Sequence, residues 1–190
     1  CIKRHAPDIY AEIGVVLFCK DYINFRLTDR LANDISDLSG AGLLAMPEGV
    51  LDADLLGLYH LEDALPFFPE RVQSADIVGR VTAAAAKATG LAEGTPVIGG
   101  YFDVVSSAMG SGVIHAGEAS VIAGTWSINQ VFADEPVISP DVFMVTTFGQ
   151  GRYVNIESSA TSAANLEWYV HRMRGDHGGK AFDRCNEEIG

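Results

Sequence analysis

The stretch Gly94-Thr-Pro-Val-Ile-Gly-Gly-Tyr-Phe-Asp103 constrains the fold of this chain more than any other. Thr95 to Ile98 is a short apolar run between Gly94 and Gly99-Gly100, which suits a buried strand that stops abruptly. Asp103 follows after Tyr101 and Phe102, and the small residues from Val104 to Met109 then suit a helix. Strand, glycine turn, acid and helix in that order imply an α/β sheet, where ligands gather beyond the carboxyl ends of strands. A carboxylate at that place can take a proton from a hydroxyl attacking phosphorus. It can equally cap the helix it precedes, since Asp is a favoured N-cap. The residues alone leave both readings open.

The flanking sequence extends the pattern. Residues 8–28 carry a helical periodicity, with Ile13, Val16, Phe18, Cys19, Tyr22, Ile23 and Phe25 as candidates for burial. Residues 34–42 are turn-rich, and 51–59 predict a short helix. Residues 77–81 read as a strand, after which Thr82 caps a helix over 83–89 that ends at Gly90. Gly110, Gly112 and Gly117 mark a flexible passage, so a domain boundary is expected between 112 and 113. Beyond it, strands are expected over 119–123 and 127–132, joined through Gly124-Thr125-Trp126, with a third over 152–157. Residues 162–173 predict a helix with Leu166, Tyr169, Val170 and Met173 on one face. A last amphipathic segment opens at Ala181, Phe182, Cys185 and Ile189.

Composition narrows the partners. Against 13 basic residues stand 25 acidic ones, a formal net charge of −12. Nucleic acid and anionic membrane surfaces both require a basic face, so neither is an expected partner. Cys1, Cys19 and Cys185 are scattered without paired spacing, which suits reduced thiols in a cytoplasmic protein better than a disulfide framework. His5, His60, His115, His171 and His177 are dispersed, and no protein-held metal site is expected. The chain opens on Cys1 rather than Met, and its last helical pattern has no following partner. It is therefore expected to be part of a longer protein.

Two more segments can carry chemistry. Gly124-Thr125 between two strands lets backbone N–H groups and a hydroxyl approach phosphate oxygens, although a tight hairpin turn has the same composition. The run Ser158-Ser-Ala-Thr-Ser-Ala163-Ala164 would let a ligand lie against a helix start, or would simply cap that helix. Asp34 and Asp37 could form a carboxylate pair with a partner elsewhere, although they read more simply as residues of a solvated turn.

The order and spacing of these segments resemble one family. Cys19-Lys-Asp-Tyr-Ile-Asn-Phe-Arg-Leu-Thr followed by Asn33-Asp-Ile-Ser-Asp-Leu-Ser-Gly is similar to the "KDYLxxxLTG…TDxSDAS" passage of the FGGY carbohydrate kinases. Thr89 to Asp103 resembles the passage bearing their catalytic aspartate, and Gly124-Thr125 resembles their turn at the ATP phosphates. Glu157 to Trp168 resembles the segment whose helix start borders the nucleotide. Gly124-Thr-Trp126 and Ala163-Ala-Asn-Leu-Glu-Trp168 look closest to the L-xylulose/3-keto-L-gulonate kinase branch, with erythritol kinases near to it.

The resemblance implies an α/β actin/hexokinase-like (ribonuclease H-like) fold. Residues 1–112 would be the end of a first, sugar-binding domain, and 113–190 the beginning of a second, nucleotide-binding one. It further implies Asp103 as general base, with Phe102 and Val104 flanking the sugar. Gly124 and Thr125 would hold the ATP phosphates, and Ala163 and Leu166 would border the nucleotide. Trp126 would close the phosphate pocket or simply pack. ATP with its accompanying Mg2+ and a small sugar are the implied ligands, and a homodimer is the assembly considered. The family's opening phosphate loop, its upstream sugar contacts and its late Gly-rich adenosine motif have no match in this sequence. The 190 residues alone are therefore expected to be inactive.

Overall fold

The computed structural model describes residues 1–124, 126–149 and 151–189, without the side chain of Ile189. Two short helices, α1 (Ile2–His5) and α2 (Pro7–Ala11), lead to α3 (Cys19–Thr28), β1 (Ala32–Asp34) and α4 (Ile35–Gly40). After α5 (Ala53–Gly57) and a 3-10 turn (Glu62–Phe67) come β2 (Glu70–Val72), β3 (Ile77–Arg80), α6 (Ala83–Thr89) and β4 (Pro96–Ile98). Helix α7 (Asp103–Gly110) is followed by β5 (Ala119–Ala123), β6 (Ser127–Ala133), β7 (Met144–Gly149) and β8 (Arg152–Ser159). Finally α8 (Ala163–Trp168), a π-helical turn (Tyr169–Met173) and α9 (Ala181–Ile189) complete the described chain. No described helix is long and apolar enough to cross a membrane.

Local chemistry sets several of these boundaries. Thr82 accepts a hydrogen bond from the Ala85 N–H at 3.2 Å, and Gly90 closes α6 in the left-handed region at φ 80°. The helix expected over 8–28 is instead broken, because Gly14-Val15-Val16 disfavours helix and the Val16 N–H donates to the Phe67 carbonyl at 2.8 Å. The expected buried face of α3 is also corrected. Cys19, Tyr22 and Ile23 are exposed, while Asp21 and Thr28 are buried. Residues 35–40 form a helix rather than a turn, because the Asp34 carboxylate caps it by accepting from the N–H groups of Ser36 and Asp37.

The sheets are small before α7 and larger after it. β1 pairs with β2 in parallel, and β3 pairs with β4 antiparallel. The remaining strands form one antiparallel sheet of four in the order β5-β6-β8-β7. Its inner face carries Phe132, Phe148, Val154 and Ile156, on which α7 sets Val105 and Ala108 to make the main core.

Strand β7 has no counterpart among the expected elements. Its inward positions are Thr146 and Phe148, so the alternation is half polar. Thr146 can be buried because its hydroxyl donates to the Ser36 carbonyl at 2.8 Å and lies 3.0 Å from Ser39 Oγ. Both partners lie on α4, more than a hundred residues earlier in the chain. At the far end, Val170, Ala181 and Cys185 form a small second core, whereas Leu166, Tyr169 and Met173 are exposed.

Candidate active site

Strand β4 delivers the chain into a turn whose backbone polar groups are bonded by side chains and main chain from three other segments. The Gly99 N–H donates to the Asp76 carbonyl at 3.0 Å, and the Gly100 N–H to the Ser74 carbonyl at 2.7 Å. The Gly99 carbonyl accepts from Asn24 Nδ2 at 2.9 Å and from Lys20 Nζ at 3.1 Å. The Gly100 carbonyl accepts from Lys20 Nζ at 2.7 Å, and the Phe102 N–H donates to Ser36 Oγ at 2.7 Å. Glycine is required at 100, where φ is +79° and a Cβ would stand 3.1 Å from Lys20 Cδ.

Asp103 follows that turn as the first residue of α7, and Phe102 occupies the N-cap position. The Asp103 side chain is exposed and takes only a 2.7 Å bond from its neighbour, the Val104 N–H, through Oδ1. Among the described residues nothing donates to its Oδ2. The carboxylate stands on a cleft of about 280 Å³ lined by Phe18, Cys19, Lys20, Asp37, Tyr101 and Phe102. Phe102 serves both this cleft and the main core, and its ring lies 3.1 Å from the place a Cβ would take at Gly40. Val104 packs against the core and does not line the cleft.

Beneath the turn lies a buried charge cluster that sequence reasoning missed. Lys20 Nζ is 3.0 Å from Asp37 Oδ2, 3.2 Å from Asp34 Oδ1 and 3.7 Å from Asp21 Oδ1. Asp21 and Asp34 are sealed from solvent, and Asp37 is nearly so, which corrects the reading of Asp34 and Asp37 as a solvated turn. Asp34 is the hub. Its Oδ1 accepts from the Ser36 hydroxyl and its Oδ2 from Ser74 Oγ at 2.6 Å, and its own N–H donates to Asp21 Oδ1 at 3.3 Å. Asn33 Nδ2 donates to Asp21 Oδ2 at 2.9 Å. Burial holds the Asp37 carboxyl above the ordinary carboxylate range; Lys20 opposes the rise, and the charges of Asp34 and Asp21 add to it. Lys20 and Asp21 adjoin in sequence, but only the fold reveals that Asp34 and Asp37 face them.

The second candidate segment is differently built. The Ala163 N–H at the start of α8 donates to the Gly124 carbonyl at 2.9 Å, so the hairpin turn and the helix start are joined. The Gly124 N–H donates to the Trp126 carbonyl at 3.1 Å, and a Cβ at Gly124 would meet only that carbonyl oxygen, at 3.6 Å. Backbone there is thus open to close approach by a ligand. Trp126 and Leu166 are about half exposed, at 48% and 45%. Thr125 lies outside the described residues. No cluster of three or more metal-ligating side chains occurs among the described residues.

A larger groove of about 540 Å³ between the α4–α5 region and the β6–β7 connection contains none of these residues. Its lining includes Leu44, Met46, Leu55, Tyr59, Ile138 and Phe143, with no carboxylate, imidazole or cationic side chain. The charged side chains Lys20, Asp37 and Asp103 line the smaller cleft instead.

Comparison with known proteins shows the family of the chain. The model of the FGGY family of carbohydrate kinases, N-terminal domain, matches residues 1–110. The chain is 33% identical over 192 residues to the "Probable L-xylulose kinase" of Haemophilus influenzae, covering 99% of this chain and 38% of that protein. It is 35% identical over 200 residues to the L-xylulose/3-keto-L-gulonate kinase of Escherichia coli, covering 99% of this chain and 37% of that one. The crystal structure of xylulose kinase from Rhodospirillum rubrum superposes with a TM-score of 0.86 at 27% identity, over 96% of this chain and 37% of that one. The chain thus spans well under half the length of the relatives it matches. Its α/β architecture is that of the actin/hexokinase superfamily, and its likeness runs to the L-xylulose/3-keto-L-gulonate kinase branch. An acid beyond a strand end, a turn held from below and a match over residues 1–110 have one common explanation: this chain belongs to the FGGY family of carbohydrate kinases.

Proposed function

We propose that the full-length protein transfers the γ-phosphoryl group of ATP to a hydroxyl of a small ketose, with Asp103 as general base. The observation that carries this reading is the exposed Asp103 carboxylate at the cleft, set on a turn whose own backbone is tied down. Its Oδ1 is oriented by the Val104 N–H, which leaves Oδ2 to accept the proton of the attacking sugar hydroxyl. As that oxygen bonds to the γ-phosphorus, the bond from phosphorus to the ADP oxygen breaks. Phe102 would cover one side of the sugar, and Val104 would support the base from the core side.

Gly124 and Thr125 would hold the phosphates with Trp126 beside them, and Ala163 and Leu166 would border the nucleotide. The bond between Ala163 and the Gly124 carbonyl supports treating them as one surface. Mg2+ would arrive with the nucleotide and neutralise phosphate charge. The named relatives suggest L-xylulose or 3-keto-L-gulonate as first substrates to assay, with tetritols as the next class.

Substitution Asp103→Asn in the full-length protein tests the assignment. Loss of a general base predicts a fall in kcat of about 10²- to 10⁴-fold with ATP affinity retained. Unchanged turnover on the best sugar would return Asp103 to the role of a helix-end acid.

A further inference from the structure

We infer that Lys20 is a positioning residue for the reacting carboxylate, clamping the Gly99–Gly100 turn from below and thereby setting where Asp103 stands; this rests on the reading of Asp103 as the base. Lys20 is the second residue of α3, eighty positions before Gly100. Its ammonium has three protons to donate. Two go to the carbonyls of Gly99 and Gly100, and Asp34 and Asp37 stand beside the group as ion-pair partners at 3.2 and 3.0 Å. The hydrogen bonds of the group thus go to the turn, although it borders the cleft.

The stem is as well placed as the head. A Cβ at Gly100 would crowd Lys20 Cδ at 3.1 Å, so glycine there lets the lysine stem lie close against the turn. The carboxylates of Asp21, Asp34 and Asp37 stand 3.7, 3.2 and 3.0 Å from the head of the clamp and set it between the floor of the cluster and the turn. The same cluster reaches the turn a second time, because Ser36, bonded to Asp34, receives the Phe102 N–H. Backbone on both sides of Tyr101 is thus held by one network. Asp103 comes immediately after it. A carboxylate displaced by an ångström loses about 10²-fold in rate without losing its chemistry, and that is the size of effect the clamp would prevent.

The test is a double-variant cycle in the full-length enzyme. Lys20→Met is expected to lower kcat by about 10²-fold while the KM for ATP changes by less than about threefold. In the Asp103→Asn background the same substitution is expected to cost less than about threefold more, because a residue that acts through Asp103 has nothing left to position. Equal losses in both backgrounds, or a folded Lys20→Met enzyme with parental kcat, would overturn the inference. If Lys20→Met does not fold, Gly100→Ala carries the test with the charge cluster intact. It should lower kcat non-additively with Asp103→Asn, and parental kcat would again overturn the clamp. A parental kcat in Asp103→Asn alone would instead sink the base assignment, and the clamp inference with it.

Discussion

The two halves of the proposed site are held in contrasting ways. The turn before Asp103 is bonded by Lys20, Asn24, Ser36, Ser74 and Asp76, and its floor is a largely buried cluster of charges. Among the described residues, the turn at Gly124 is joined to α8 by one backbone hydrogen bond, and Trp126 and Leu166 are half exposed. A base must hold its carboxylate to within a fraction of an ångström of the attacking oxygen, which requires prior immobilisation. Backbone that lies along phosphates must first leave room for them. The contrast suggests that rigidity is spent on the acid and openness on the nucleotide side.

The largest effect should come from removing the hub of the braced half. Asp34→Ala leaves Lys20, Ser36 and Ser74 without their shared acceptor and opens the α4 cap, with an expected cost of about 3–5 kcal/mol in urea unfolding. A cost near zero would mean that the cluster braces nothing. Next in size is a pH effect at Asp37. Its folded carboxyl titrates above the ordinary value of 3.8, so the folded state binds the extra proton and loses that advantage as pH rises through the raised value. Asp37→Asn lacks this loss, so the Tm difference between variant and parent should move in the variant's favour over that window. A difference constant with pH would show that the buried charge is not under strain. The smallest effect is expected in the open half, where Leu166→Ala should change stability by less than about 0.5 kcal/mol while raising the KM for ATP. A large destabilisation would erase the contrast between the halves.

Much of the frame was readable from local chemistry. Thr82 and Gly90 announce α6, strand-type residues on either side of Gly124 and over 152–157 announce β5, β6 and β8, and Gly99-Gly100 before an acid announces the turn that matters. Helix α3 was misjudged at its start and on its face. Its apolar residues Tyr22 and Ile23 point to solvent while Asp21 and Thr28 are covered, the reverse of what periodicity implies. Strand β7 escaped notice because Thr146 is an inward residue that looks like an outward one.

What the sequence determined by itself is the order of elements, the place of Asp103 just beyond a strand, and the family to which four ordered motifs point. Only the tertiary structure decided which polar residues are interior. A charged or hydroxylated side chain is stable in the interior only if its partners are already there. For Lys20 those partners are carboxylates on two other elements and carbonyls some eighty residues away. No local pattern encodes such a meeting; it exists only once α3, β1, α4 and the turn after β4 have come together.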